Sequence, residues 1–292
     1  MSRLIDKSNP LSLDHRTEPL SDESRSYEVY FEDEKKRVRL YLGDCLDVMQ
    51  SAPEACVDLI FADPPYFLSN DGITCYAGKM VSVNKGKWDR SKGFEQNYRF
   101  TVEWLAECQR VLKPNGTIWV SGTHHLIHLV GVAMQQLGYK ILNDITWVKP
   151  APPPNLSCRY FVHATETIIW AAKNRKSKHC FNYQLMKKLS NGKQMQSVWT
   201  IAPPNSFEKR YGKHPTQKPE ALLDRIILAS SDPGDLVLDP FCGSDATGVS
   251  AVRNGRKHVG IEMSKEWLDV ARRRLLDELK KKQQISVGDL DG

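Results

Sequence analysis

The chain predicts an α/β fold built on a doubly wound, mostly parallel sheet, and three observations lead there. Short apolar runs recur along it and several end on a polar residue, as at Asp63, Ser121 and Glu262. Stretches with helical spacing of apolar residues stand between those runs, and the connections carry the Gly, Pro and Asn that turns require. At 292 residues the chain is long enough for one large domain with a substantial core and a small insertion.

In order, residues 38–42 read as a strand, 45–50 as a helical turn and 57–62 as a buried strand ending at Asp63. The polar, glycine-bearing stretch 67–93 is too long for a routine connection and is read as a functional or a mobile loop. Residues 101–112 predict a helix, and Lys113-Pro114-Asn115-Gly116 a stop and turn before a strand over 117–121. A helix over 126–137, a strand over 141–147, a proline-rich break over 150–154 and a strand over 167–172 follow, and then a basic segment to about Lys213. Residues 219–230 predict a helix with Pro219 at its first position. The last units are a strand over 236–238, a helix over 247–254, a strand over 258–261 ending at Glu262, and a helix over 265–279.

Composition excludes several classes. No apolar run approaches the roughly 18 residues that cross a bilayer, and residues 1–26 lack the apolar segment of a secretory signal and read as a polar tail. Seven cysteines, with no Cys-x-x-Cys pair, argue against a disulfide framework and against zinc, so a cytoplasmic protein with free thiols and no metal is expected. The net charge is only +6, but residues 151–218 hold twelve Lys and Arg against two acids, Glu166 and Glu208. The remainder of the chain is therefore net acidic, and the basic stretch is the part suited to a polyanion.

Sites in such sheets form at the carboxyl ends of strands, and four features fall there. In 59–67, LIFADPPYF, Asp63 offers a carboxylate and Pro64 a carbonyl held by the rigid Pro64-Pro65 pair; both can accept hydrogen bonds from an exocyclic amine, whose lone pair is otherwise delocalised into its ring. Tyr66 offers a face on which an extruded base can stack. Alone, the same residues also read as a strand cap and a proline turn. In 236–248, LVLDPFCGSDATG, a glycine-bearing turn leads from strand to helix and lets a cofactor approach the backbone. Glu262 at the next strand end has two acceptor oxygens for ribose hydroxyls, or is a surface acid. In 212–223, GKHPTQKPEALL, the residues Lys213, His214, Thr216, Gln217 and Lys218 precede a helix as donors for an amino-acid moiety, or as a solvated basic entry.

Taken together and in this order, these segments resemble the β-class amino-methyltransferases of bacterial restriction-modification systems. Asp63-Pro64-Pro65-Tyr66 is similar to that family's catalytic motif, and Asp239-Pro240-Phe241 with Gly243 and Ser244 to its cofactor motif. The segments Leu42-Gly43-Asp44-Cys45, Leu112 to Gly116, Ile145 to Lys149 and His214 to Pro219 also resemble family segments in family order, over roughly residues 38–276. Within the family, ADPPYFLSNDGI, VSVNKGKWD, PNLSCRYF and NGKQMQSVW look most like the DpnA type, which methylates adenine in GATC and acts also on single strands.

The resemblance implies a Rossmann-like methyltransferase fold with an inserted target-recognition region. It implies S-adenosylmethionine as cofactor, with Asp44, Asp239, Phe241, Gly243, Ser244, Asp245, Thr247, Glu262, His214, Thr216, Gln217 and Lys218 around it. It implies DNA as partner, double-stranded and also single-stranded, with no membrane, and it leaves monomer and homodimer both open. Residues 27–278 would form a single catalytic domain, with target recognition at about 174–213, an active-site loop at 67–93 and a polar tail from 279 to 292. Aspartate at position 63 favours adenine over cytosine N4, where the relatives usually carry serine. One departure stands out: Asp245 replaces the second glycine of the cofactor turn and Ala246 a threonine, which places a carboxylate near that of the cofactor. The competing readings are a cytosine-N4 methyltransferase and a methyltransferase-like DNA-binding module with impaired cofactor affinity. A nicotinamide oxidoreductase is disfavoured because no Gly-x-Gly-x-x-Gly follows a strand.

Overall fold

The structure, a computed structural model, describes residues 26–67, 73–76, 79–82 and 89–288. All but the last residue of the expected N-terminal tail, and residues 68–72, 77–78 and 83–88 of the expected 67–93 loop, lie outside the described residues. The elements in chain order are β1 Glu28–Glu32, β2 Val38–Leu42, α1 Cys45–Ser51, β3 Val57–Ala62, β4 Ile73–Tyr76, β5 Lys79–Ser82, α2 Phe94–Val111, β6 Leu112–Gly122, α3 Ile127–Gln136 and β7 Lys140–Val148. They continue with β8 Thr165–Ala172, α4 Tyr183–Leu189, β9 Val198–Thr200, α5 Glu220–Ser230, β10 Leu236–Asp239, α6 Ala246–Arg253, β11 Lys257–Glu262 and α7 Lys265–Gly288.

Among the described residues nine strands form one sheet in the order β1-β2-β11-β10-β3-β6-β8-β7-β9, and β4 and β5 form a separate antiparallel pair. The strands β2, β11, β10, β3 and β6 are mutually parallel, which brings their carboxyl ends to one edge. Asp44, Glu262, Asp239, Asp63 and Ser121 therefore come to that edge from five neighbouring strands. β8 runs antiparallel to both β6 and β7, so it is the beginning of β8, at Thr165 and Glu166, that reaches the same edge. The mostly parallel sheet expected from sequence is present, with β1 and β8 reversed.

Both faces are covered. Along β3 the side chains alternate: Leu59 and Phe61 join the core beneath α5, while Ile60 and Ala62 join the core beneath α1, α2 and α3. A strand buried on both faces reads as a continuous apolar run, and Val-Asp-Leu-Ile-Phe-Ala does so apart from Asp58. Asp58 is held by the Lys113 ammonium at 2.8 Å and by the Leu236 N–H at 3.0 Å.

Several boundaries differ from the sequence expectation for physical reasons. α2 starts at Phe94, not at 101, because its first turns are solvent-facing and only Thr101, Trp104, Leu105, Cys108 and Val111 form the buried stripe. The expected turn at 113–116 is absorbed into β6 as an irregularity, the register passing from Val57↔Leu112 to Leu59↔Thr117. Gly116 is needed there, since a Cβ would meet the Asp58 carbonyl at 3.0 Å and that of Val57 at 3.1 Å. Pro219 caps α5 rather than opening it. The basic segment contains α4 and the three-residue edge strand β9, which sequence reading did not resolve. α7 runs on to Gly288, past the point where a polar tail was expected, because Leu279 still packs into the core with Leu275.

The far half of the sheet is anchored by tryptophans. The Trp119 ring stacks on Trp170 at 4.7 Å between centroids and tilts against Trp199 at 5.9 Å, and its Nε1–H donates to Ser230 Oγ at 2.9 Å. Trp119→Ala is expected to cost about 3–5 kcal/mol in urea unfolding. Ser230→Ala, which leaves a buried indole N–H without its acceptor, is expected to cost about 1–3 kcal/mol.

Candidate active site

The first half of the site is a buried charge cluster. Asp63 leaves β3 with its side chain mostly covered, and both oxygens are engaged: Tyr66 Oη donates to Oδ1 at 2.6 Å and Lys218 Nζ to Oδ2 at 2.5 Å. The Lys218 ammonium also lies 3.2 Å from Tyr66 Oη and 3.7 Å from Glu166 Oε2. Glu166 in turn accepts from Lys149 Nζ at 2.5 Å. Ser121 Oγ stands 3.3 Å from Tyr66 Oη. Two lysines thus face two carboxylates around one phenol, at the junction of β3, β6, β7, β8 and the segment before α5.

The electrostatics follow from that pairing. Burial alone would discharge Lys218, but the adjacent Asp63 and Glu166 carboxylates outweigh it and hold the ammonium above its ordinary range. Burial, together with the same two carboxylates, raises the Tyr66 hydroxyl well above its ordinary value, so it acts as a neutral donor. The backbone of the turn is pinned as well, for Tyr66 N–H donates to Asp89 Oδ1 at 2.8 Å and Asp89 is wholly buried.

The second half is the turn from β10 to α6. Asp239, 3% exposed, accepts from Phe241 N–H at 3.0 Å and from Thr247 Oγ1 at 2.6 Å, so it and Thr247 hold the turn together. Burial raises the Asp239 carboxyl to about 7. Phe241 is fixed by edge contacts with Trp104 at 5.4 Å and Phe100 at 6.4 Å. Gly243 has φ +51 and lies so close to His214 that a Cβ would meet Nε2 at 3.0 Å. Glu262 accepts from Gly243 N–H at 3.0 Å and Ser264 N–H at 2.8 Å, and Gly43 N–H donates to the Glu262 carbonyl at 3.0 Å. Asp44 caps α1 through Leu46 N–H at 2.8 Å. Ser244 Oγ donates to Gln217 Oε1 at 3.2 Å, and the ring of His214 meets Trp267 edge-on at 4.5 Å. Thr216 N–H lies 3.4 Å from His214 Nδ1.

Three expectations change on this geometry. Lys218, expected as a donor to the cofactor, points its ammonium at Asp63 instead. Tyr66, expected to present its ring to a base, is 6% exposed, with Lys218 Nζ 5.4 Å from the ring centroid; its hydroxyl, not its face, enters the site. Asp245 does not direct a carboxylate to the open side of the turn. It adopts the left-handed conformation, φ 56 and ψ 55, which aspartate tolerates. From there its fully buried carboxylate caps α6 through Gly248 N–H at 2.8 Å and lies 3.0 Å from His258 Nε2. Gly248 complements it, since a Cβ there would sit 2.3 Å from Asp245 Oδ2.

Sequence reasoning missed Glu166, Lys149, Ser121 and Asp89. Ser121 stood at a strand end and was within reach of that reasoning. Glu166 was not, because it opens a reversed strand, whereas strand-end reasoning looks at the last residues of strands.

A mostly parallel sheet carrying an Asp-Pro-Pro-Tyr end beside a glycine-bearing strand-to-helix turn defines a Rossmann-like methyltransferase. More narrowly, residues 57–273 match the N6_N4_Mtase model, described as DNA methylase, and the chain belongs to that family; it is an enzyme that methylates DNA. It is 54% identical over 242 residues to the type II methyltransferase M2.DpnII of Streptococcus pneumoniae, covering 82% of this chain and 90% of the relative. It is 50% identical over 267 residues to the type II methyltransferase M2.MboI of Moraxella bovis, covering 88% and 98%. The crystal structure of the M1.HpyAVI-SAM complex superposes with a TM-score of 0.62 at 29% identity, covering 82% of this chain and 98% of that one.

Lys218→Met should destabilise the protein by about 3–5 kcal/mol, the cost of leaving buried carboxylates without their cation. Adding Asp63→Asn should recover part of the loss, and a double-mutant cycle by urea unfolding measures the coupling. Asp239 gives a pH signature. Its folded value, about 7, exceeds the ordinary carboxylate range, so between roughly pH 4 and 7 the folded state binds the extra proton and stability falls as pH rises. Asp239→Asn should flatten that part of the profile of Tm against pH.

Proposed function

We propose that this enzyme transfers the methyl group of S-adenosylmethionine to N6 of adenine in DNA, with GATC as its site and both duplex and single strands as substrates. The observation that carries the reading is Asp63, an acceptor placed on β3 immediately beside β10 and its turn, so that an amine at Asp63 stands next to a cofactor at 239–244. The adenine choice and the GATC site rest on the likeness to the M2.DpnII and M2.MboI methyltransferases together with aspartate at position 63.

The residues of the turn fit such a cofactor. Gly243 lets the His214 ring close onto the backbone of the turn, and Glu262 has lone pairs left for ribose hydroxyls beyond its bonds to Gly243 N–H and Ser264 N–H. Phe241, Ser244, His214, Thr216 and Gln217 border the same space, while Asp44, Asp239, Asp245 and Thr247 shape the backbone around it. The bound cofactor supplies an electrophilic methyl group.

The chain's own part is acceptance and positioning. Asp63 and the Pro64 carbonyl accept the two amine hydrogens, which localises the nitrogen lone pair and aims it in line with the methyl group. Both Asp63 oxygens already hold a donor, so the amine shares an oxygen with, or displaces, the Tyr66 hydroxyl or the Lys218 ammonium. Lys218 fixes the orientation of Asp63, and Glu166 with Lys149 fixes Lys218. The proton lost from the amine passes toward Asp63. Residues 174–213 supply target recognition within a single catalytic domain, and their lysines and arginines meet phosphates, which makes binding steeply salt-dependent.

Asp63→Ala is expected to abolish labelled methyl transfer to a GATC duplex, a loss of more than about a hundredfold, while calorimetry still detects S-adenosylmethionine binding. Near-normal turnover by this variant would overturn the mechanism, and a product methylated on cytosine would overturn the choice of base.

A further inference from the structure

Beside the charge cluster lies a surface made of rings. β6 leaves the sheet through Ser121, Gly122 and Thr123 into His124 and His125, and the chain enters β8 from Tyr160, Phe161, Val162 and His163. The two segments meet. The His124 and His163 rings stack at 4.8 Å with 17° between planes, His125 lies 3.8 Å from His124, and Tyr160 lies 5.3 Å from His163. All of these side chains are exposed, Tyr160 at 60% and Phe161 at 96%. A phenylalanine left almost bare has no role in the core, and clustered exposed rings mark contact surfaces. Among the described residues no group of His, Cys, Asp and Glu is arranged to hold a metal, so the histidines are not a metal centre.

We infer that this surface is a stacking platform for the unpaired nucleotides that flank the target base on the methylated strand; the inference rests on the reading of the enzyme as one that acts on a base taken out of pairing. Three features select that occupant. The first is continuity with the site: His124 follows Ser121 by three residues, His163 precedes Glu166 by three, and both Ser121 and Glu166 lie against Tyr66 Oη. The platform is therefore joined to the site through two residues that touch Tyr66 Oη, the hydroxyl that donates to Asp63. The second is charge, for residues 151–164 contain Arg159 and no carboxylate, which suits a phosphate backbone. The third is prior order. Asn155 accepts from Ser157 N–H at 3.0 Å and donates to the Tyr160 carbonyl at 2.7 Å, and Lys149 N–H donates to the Ala164 carbonyl at 2.8 Å, so the loop holds its rings in place before any strand arrives. Partial burial and the neighbouring histidines lower the His124 pKa, which keeps its ring neutral and able to stack at physiological pH. Stacking of this kind is tolerant of sequence, because every base has a face.

The test uses the full-length enzyme, an oligothymidylate, and an abasic oligomer of the same length, which carries the same phosphates without rings. Fluorescence anisotropy should show the wild type binding the thymidylate about tenfold or more tightly than the abasic strand. Phe161→Ala with Tyr160→Ala should bring the two affinities together. His163→Ala should weaken thymidylate binding, and His163→Phe should restore it. These side chains are exposed, so the variants should keep the wild-type Tm. Equal affinity of the wild type for both strands, or variants that retain the difference, would overturn the platform. Conversion of a wild-type dimer into a monomer by Phe161→Ala, seen by sedimentation with no change in strand preference, would overturn it in favour of contact between two copies of the chain. Methyl transfer to GATC oligonucleotides by the same wild-type preparation tests the underlying reading separately, since that transfer can succeed whether or not the platform exists.

Discussion

The site depends on keeping four charged side chains out of water at once. Asp63 and Glu166 come from β3 and β8, Lys149 follows β7 and Lys218 precedes α5, and each charge is covered only because the others are present. A single buried carboxylate would take up a proton, and a single buried ammonium would lose one. In the assembled cluster the desolvation of each is offset by a neighbour of opposite sign, and Tyr66 adds a neutral donor on the Asp63 oxygen that Lys218 leaves. The cluster therefore also acts as a clasp, tying the two halves of the sheet to the segment between the basic region and α5.

The neighbouring turn is organised by the same rule with smaller means. Asp239 and Asp245 are both buried: Asp239 accepts from Phe241 N–H and the Thr247 hydroxyl, while Asp245 accepts from Gly248 N–H through Oδ1, beside His258. Aspartate in a position that favours glycine is accommodated because its short side chain can fold back onto the helix it precedes. The Asp245 carboxylate faces inward, 3.0 Å from His258 Nε2, while Phe241 at the start of the turn is partly exposed. The Asp245 carboxylate thus belongs to the core.

Together the two halves place a hydrogen-bond acceptor on one strand and a cofactor-sized turn on the next, with the sheet as a rigid spacer between them. Positioning on this scale is what transfer to a poorly nucleophilic aromatic amine requires, because the barrier falls mainly through orientation and exposure of the lone pair. Around that frame, the proposed phosphate contacts fall in the basic 174–213 region and the proposed stacking surface in 124–125 and 160–163.

Much of this was legible in the sequence, and the reason is local. Apolar runs of five or six residues, helical spacing and turn chemistry are properties of neighbouring residues, so the α/β class and the strands β2, β3, β6, β7, β8, β10 and β11 could be read from the chain, as could the family that their order resembles, and Asp63, Phe241, Gly243 and Glu262 could be singled out as candidates; β1, β4, β5 and β9 could not. Tertiary structure alone decided what depends on partners distant in sequence. Lys218 meets Asp63 across 155 positions, Glu166 arrives because β8 is reversed, and the Asp245 carboxylate comes to lie 3.0 Å from His258 on the next strand. Spacing along the chain carries no record of which charges share a buried volume, and it is that sharing, through the loss of water and the gain of an opposite charge, that fixes what each of these side chains does.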